Sequence, residues 1–178
     1  MFRISRTTPA YYFTSVTHKR LPIFRLDQLK QVLCDALSEV RAKHGIMMLA
    51  YVIMPDHVHL LVYSDKAMSD AIRLVNGVAA RRLIQYLTEN GHERSLLKLR
   101  GAVRGRNHKH SVWQHHTDSL EIFGEDTFLQ KVEYVHQNPV RAGLVEDAFK
   151  YRFSSVRCWT GNAGYEPLLT DHLSINWR

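Results

Sequence analysis

The chain has 178 residues, 45% hydrophobic and 23% charged, which is the make-up of an ordinary globular protein long enough to bury a core. Its formal charge of +7 and pI near 9.6 favour an anionic partner, with nucleic acid ahead of a membrane surface. Two distant cysteines argue against a disulfide framework or zinc ribbon, and no apolar run approaches the roughly 18 residues of a membrane span, so a cytoplasmic protein without membrane contact is expected.

Taken in order, residues 10–17 are aromatic and β-branched and predict a first strand. Leu26, Leu29, Val32, Leu33, Leu37 and Val40 recur at helical spacing, which predicts a helix over 26–43 with Gly45 as its stop. Residues 46–53 and 57–63 predict two strands joined at Met54-Pro55-Asp56 as a hairpin. Ser69 is placed to cap a second helix, striped by Ile72, Val75, Ala79, Leu83 and Leu87 and fading near Asn90-Gly91. Residues 92–110 carry six Lys or Arg against Glu93, with two glycines and little periodicity, and are expected to form a mobile basic loop. Ser111-Val-Trp-Gln opens an expected fourth strand, and Asp126 is placed to cap a third helix with Phe128, Val132 and Val135 on its apolar face. Residues 146–178 show weak periodicity and are expected to form a tail or appendage on one domain spanning 1–178.

This order is the βαββαβ pattern of an α+β, ferredoxin-like antiparallel sheet with both intervening helices on one face. Side chains alternate along a strand, so His57 and His59 point one way while Val58, Leu60 and Val62 point the other, toward the helices. The two imidazoles are then left on the open face. His115 and His116 follow Trp113-Gln114, and strand alternation would turn one of them toward the same face; further imidazoles would favour zinc and a metal hydrolase.

The third helix supplies a partner for that face. At about 100° per residue, Lys131, Tyr134 and Asn138 share a polar side away from the Phe128/Val132/Val135 stripe. Two neutral imidazoles and an amide oxygen could hold a divalent ion with positions open to phosphate oxygens, and Tyr134 is a candidate nucleophile. Asn138 has a competing use: preceding Pro139, it resembles the cap of a new short turn ending at Gly143, which would make Gln137 the substitute ligand. His136 falls near the apolar edge and is expected to be a satisfied core histidine.

At these residues the sequence resembles a known family. Met-Pro-Asp-His57-Val-His59-Leu-Leu-Val is similar to the HUH motif of single-tyrosine transposases, and Tyr134-Val-His-Gln-Asn138-Pro-Val-Arg-Ala-Gly-Leu-Val to the tyrosine motif of their REP-associated branch. The likeness extends to Val16-Thr17 with the basic residues after it, Pro22-Ile-Phe24, Val112-Trp-Gln114 and Ser154-Ser155. His115-His116-Thr-Asp-Ser-Leu and Phe153 depart from the family, where basic and aromatic residues and a tryptophan are usual. The resemblance implies an HUH nuclease fold with a tyrosine-bearing helix, acting on single-stranded or hairpin DNA as a monomer or homodimer. It implies that His57, His59 and Asn138 hold Mg²⁺ or Mn²⁺ while Tyr134 attacks the phosphate. Lys131, Arg141, Arg73, Arg81, Arg82, Arg100, Arg104, Arg106 and Lys109 are the cations expected to guide the DNA backbone. A non-catalytic hairpin-binding module of the same fold and a hydrolase using water are the competing expectations.

Overall fold

The computed structural model describes residues 1–100, 110–162, 167–168 and 170–176. Four strands form one antiparallel sheet in the order β2-β3-β1-β4: β1 (Ala10–Val16), β2 (Met47–Ile53), β3 (His57–Tyr63) and β4 (Asp118–Ile122). With α1 (Asp27–His44) and α2 (Met68–Glu89) as crossovers, this is the ferredoxin-like arrangement that the element order predicts. The β2–β3 hairpin turns at Met54-Pro55-Asp56-His57, closed by the Met54 N–H donating to the His57 carbonyl at 2.8 Å. Pro55 suits the first central position of such a turn because its φ is already fixed.

The period-2 pattern decides which face each helix covers. Phe13, Tyr51, Leu60 and Val62 point to one face, where α1 and α2 bury them with Leu33, Leu37 and Leu83, all fully inaccessible. Each such side chain contributes roughly 1.5–3 kcal/mol on burial. Ser15 Oγ on this face donates to Asn76 Oδ1 of α2 at 2.7 Å. The opposite face carries α4 (Glu125–Arg141), whose Phe128, Val132 and Val135 pack toward β2 and β3. None of the described helices is long and apolar enough to cross a membrane.

Several local expectations are corrected. Residues 93–100, expected to be loop, form α3 (Glu93–Arg100), because Leu96 and Leu99 give the segment a helical face and Leu99 is fully buried. The rest of that basic stretch, 101–109, lies outside the described residues. The fourth strand begins at Asp118, not at Ser111; upstream only Trp113 makes a bridge, to Thr17, and His115 and His116 lie in a bend and an exposed stretch. Helix α2 starts at Met68 after Ala67, without a side-chain cap from Ser69. Gly124, not Asp126, precedes α4, and Asp126 sits in its first turn, where a carboxylate still suits the positive end of the helix.

The fate of Asn138-Pro139 matters most for the site. Instead of breaking, α4 runs through Pro139 to Arg141. Proline there forfeits one backbone hydrogen bond close to the helix end. The end is then closed by Gly143, at φ +69°, with Gly143 N–H donating to the Val140 carbonyl and Leu144 N–H to the Pro139 carbonyl, both at 2.9 Å. That double closure is a Schellman motif, which needs the left-handed conformation glycine adopts freely.

The C-terminal segment lies along the outer edge of β2. Ile53 N–H donates to the Phe153 carbonyl at 2.9 Å, Ser155 N–H to the Tyr51 carbonyl at 3.0 Å, and Val52 bridges Ser154. Near the chain ends, Phe2 and Ile175 form a further bridge.

Candidate functional site

Between α4 and the sheet lies a cavity of about 420 Å³, lined by Tyr12, Thr14, Val16, Arg20, His57, His59, Asp118, Lys131, Tyr134 and Asn138. Strand register places its floor. Asp118, Thr14, His59 and Val52 stand in one row across β4, β1, β3 and β2, and Val16 is paired with His57 in the next position along. The two imidazoles lie 4.7 Å apart, ring centre to ring centre, edge to face.

Each imidazole is held by the same nitrogen. His57 Nδ1 lies 2.6 Å from Asp56 Oδ1, and a carboxylate can only accept, so Nδ1 carries the proton there. His59 Nδ1 lies 2.8 Å from Thr14 Oγ1 and 2.9 Å from the Tyr12 hydroxyl. These contacts leave the Nε2 atoms as the nitrogens available to a ligand, an orientation typical of metal-binding histidines. Burial, then the charge on His57, push the His59 imidazole down to about 3; a hydrogen bond with Asn138 acts the other way and Lys131 adds to the lowering. His59 is therefore neutral at physiological pH, as a metal ligand must be. Burial alone would raise the Asp56 carboxyl, but His57 and Arg20 together outweigh it and hold Asp56 below its ordinary range.

Helix α4 brings the polar groups of the opposite wall. The Tyr134 ring lies 5.4 Å from His59 and 6.2 Å from Tyr12, edge-on to both. Lys131 Nζ sits 4.6 Å from the centre of the Tyr12 ring and 5.3 Å from that of Tyr134, while the Arg141 guanidinium is 5.1 Å from the Tyr134 ring. Burial is the main cause lifting the Tyr12 phenol to about 12. Asn138, with its backbone inside the helix, has no cap to serve and lines the cavity; Gln137 lines a different one, behind α4, with His136 and Trp159. His136 is buried, with Nε2 2.9 Å from Ser155 Oγ.

The donor set suits a divalent cation: two imidazole nitrogens turned to one cavity, with a side-chain amide on the facing wall. Among the described residues no cluster of three or more His, Cys, Asp or Glu forms, so a third protein ligand at this place would be that amide.

The expected DNA-guiding cations do not all gather here. Lys131 lines the cavity and Arg141 flanks Tyr134. Arg73, Arg81 and Arg82 are on α2, across the sheet; Arg73 pairs with Asp70 at 2.9 Å, and Arg81 and Arg82 grip Glu39 of α1 at 2.8 and 2.6 Å. Arg100 lines a separate cavity with Thr88, Gly91 and Glu93. Arg104, Arg106 and Lys109 lie outside the described residues.

Tyr12, Thr14, Arg20, Asp56 and Asp118 join the site without being anticipated. The one hint for Tyr12 and Thr14 is their polar alternation with Phe13, but which strand β1 pairs with, and in what register, decides where that polar face lies. The segments that carry the family resemblance also converge here. Gln114 N–H donates to the Val16 carbonyl at 2.8 Å, Phe24 N–H to the Pro55 carbonyl at 3.0 Å, and the Phe24 and Trp113 rings lie 6.0 Å apart.

Comparison with known proteins gives matches in sequence and in shape. The family of IS200-like transposases matches residues 6–138. The ISDra2 transposase TnpA of Deinococcus radiodurans is 36% identical over 51 residues, which are 28% of this chain and 36% of that protein, so the match spans little more than a third of that relative's length. The structure of a REP-associated tyrosine transposase bound to a REP hairpin superposes with a TM-score of 0.64 at 18% identity, covering 94% of this chain and 88% of the other. A candidate transposase from Deinococcus radiodurans R1 superposes with a TM-score of 0.50 at 22% identity, covering 76% and 94%. At these identities the superpositions speak to the fold, which is that of the HUH tyrosine transposases.

Proposed function

The chain belongs to the family of IS200-like transposases, and from that membership we propose that it nicks and rejoins single-stranded DNA beside hairpins through a covalent tyrosine intermediate. The observation that carries this reading is the convergence of Tyr134 and Asn138, from one helix, on the cavity floored by His57 and His59.

Tyr134 is the nucleophile. Its phenolic oxygen forms a bond to phosphorus, the phosphorus–O3′ bond breaks, and the leaving 3′ oxygen takes up a proton as the phenol gives one up. The product is a 5′-phosphotyrosine that keeps the energy of the broken bond, so a DNA 3′-hydroxyl can reverse or redirect the step. His57, His59 and Asn138 would hold a divalent ion, Mg²⁺ or Mn²⁺, which when bound polarises the phosphoryl group and offsets charge developing on its oxygens. Asp56, Thr14 and Tyr12 keep the two imidazoles turned toward the cavity. Lys131 and Arg141 place positive charge beside the Tyr134 ring, where the phosphate must arrive.

The hairpin held by the REP-associated neighbour supports a hairpin-bearing substrate for this chain. The test is to incubate the protein with Mn²⁺ and a hairpin-flanked single-stranded oligonucleotide, then seek an adduct that survives denaturation. The wild type should form it and Tyr134→Phe should not; an equal yield from both would remove Tyr134 from the reaction. Tight binding without any adduct would mark a hairpin-binding module instead.

A further inference from the structure

Lys19 and Arg20 have φ of +52° and +53° and are the only non-glycine residues with positive φ among those described. Left-handed backbone at two successive cationic residues is strained, and persists only where surrounding contacts enforce it. They do so here. Thr17 N–H donates to the Asp56 carbonyl at 2.9 Å, Thr17 Oγ1 lies 2.8 Å from the Leu21 carbonyl, and His18 N–H donates to the Val112 carbonyl at 2.7 Å. The turn is thus fastened to the β2–β3 hairpin at the very residue that precedes His57.

Its outcome is the placement of Arg20. The side chain is 65% exposed yet lines the cavity that holds Tyr134, with one guanidinium nitrogen 3.1 Å from Asp56 Oδ2. Asp56 Oδ1 is already engaged by His57. Among the described residues, one of the five N–H donors of Arg20 has a partner, and the planar fork suits two phosphate oxygens at once. Lys19, beside it, is exposed.

We propose that the Lys19-Arg20 turn is a DNA-backbone clamp, in which Arg20 binds a phosphate next to the one attacked, irrespective of base sequence. The assignment rests on the DNA-nicking reading of the same cavity. Such a contact releases counterions, so it leaves a signature in salt dependence that a folding defect does not.

The experiment measures binding of a hairpin-flanked single-stranded oligonucleotide, and of a base-scrambled one of equal length, across a salt series in EDTA so that no cleavage intervenes. Arg20→Ala should weaken both about tenfold and reduce the slope of log K against log salt by about 0.7, the share of one single-strand phosphate contact. Arg20→Lys should keep the slope and recover part of the affinity, because the charge remains and the fork does not. An unchanged slope in Arg20→Ala would overturn the clamp. So would weaker binding of Mn²⁺ to the free protein with DNA affinity intact, which would assign Arg20 to holding Asp56 and His57. Absence of DNA binding by the unsubstituted chain would sink the nicking reading as well, whereas strong binding with an unaltered slope sinks this inference alone.

Discussion

At the scale of single residues, the site depends on which nitrogen of each imidazole is occupied. Thr14 and Tyr12 both reach His59 Nδ1, so either can hold the ring when the other is lost. Thr14→Val or Tyr12→Phe alone should therefore change Mn²⁺ affinity little, while the double substitution should weaken it by roughly 10- to 100-fold. Titration calorimetry of the folded variants checks this; full affinity in the double variant would show that His59 is oriented by something else. The His-x-His pair was legible because strand alternation needs only local sequence. Which of Asn138 and Gln137 faces that cavity was not. It depends on whether a helix continues through Pro139, and that turns on the closure at Gly143, where the Leu144 and Gly143 N–H groups donate to the Pro139 and Val140 carbonyls.

At the scale of elements, α4 must hold its rotation for Tyr134 and Asn138 to face the cavity. Its apolar stripe supplies most of the docking energy, and Phe128→Ala should cost about 3–5 kcal/mol. A polar tie adds direction: His136 Nε2 meets Ser155 Oγ, which also accepts the Tyr51 N–H at 2.9 Å. Ser155→Ala would leave both buried groups without that partner, at a cost of about 1–3 kcal/mol in chemical denaturation. A loss below that range would mean the tie is replaced by water. Helix existence and type were readable for α1, α2 and α4 because long apolar periodicity survives any tertiary setting. The short α3 and β4 were misread. Three leucines in eight residues are too few to outweigh a basic composition, and β4, an edge strand exposed along most of its length, lacks the apolar alternation that betrays a buried strand.

At the scale of the whole molecule, two buried histidines link stability to pH. Burial, then the charge on His172, push His136 down to about 4, and His59 lies at about 3. In the unfolded chain both should titrate near the ordinary value of about 6.5. The unfolded state thus gains protons first. Stability is full above pH 6.5, falls as pH drops toward 4, and goes on falling toward 3 as His59 contributes. The His136 share is on the order of 3 kcal/mol. Denaturation curves at pH 7 and pH 4.5 should show the loss, and His136→Gln should shrink it; a pH-independent midpoint would contradict the burial of both rings. Cys34 and Cys158 are both buried, so a thiol reagent should label them only as fast as the chain opens.

The sequence by itself determined the order of β1, α1, β2, β3, α2 and α4, the face of β3 that carries the histidines, and the side of α4 that carries Tyr134. Each follows from a period of 2 or 3.6 read within one segment. It also carried the family, through two motifs about 75 residues apart. Tertiary structure alone decided that β1 pairs with β3 so that Thr14 meets His59, that Asp56 is shared between His57 and Arg20, and that Arg81 and Arg82 of α2 pair with Glu39 across the sheet from the cavity. Those facts depend on register and on which surfaces meet. Register is fixed by burying a whole face at once, so no single segment encodes it.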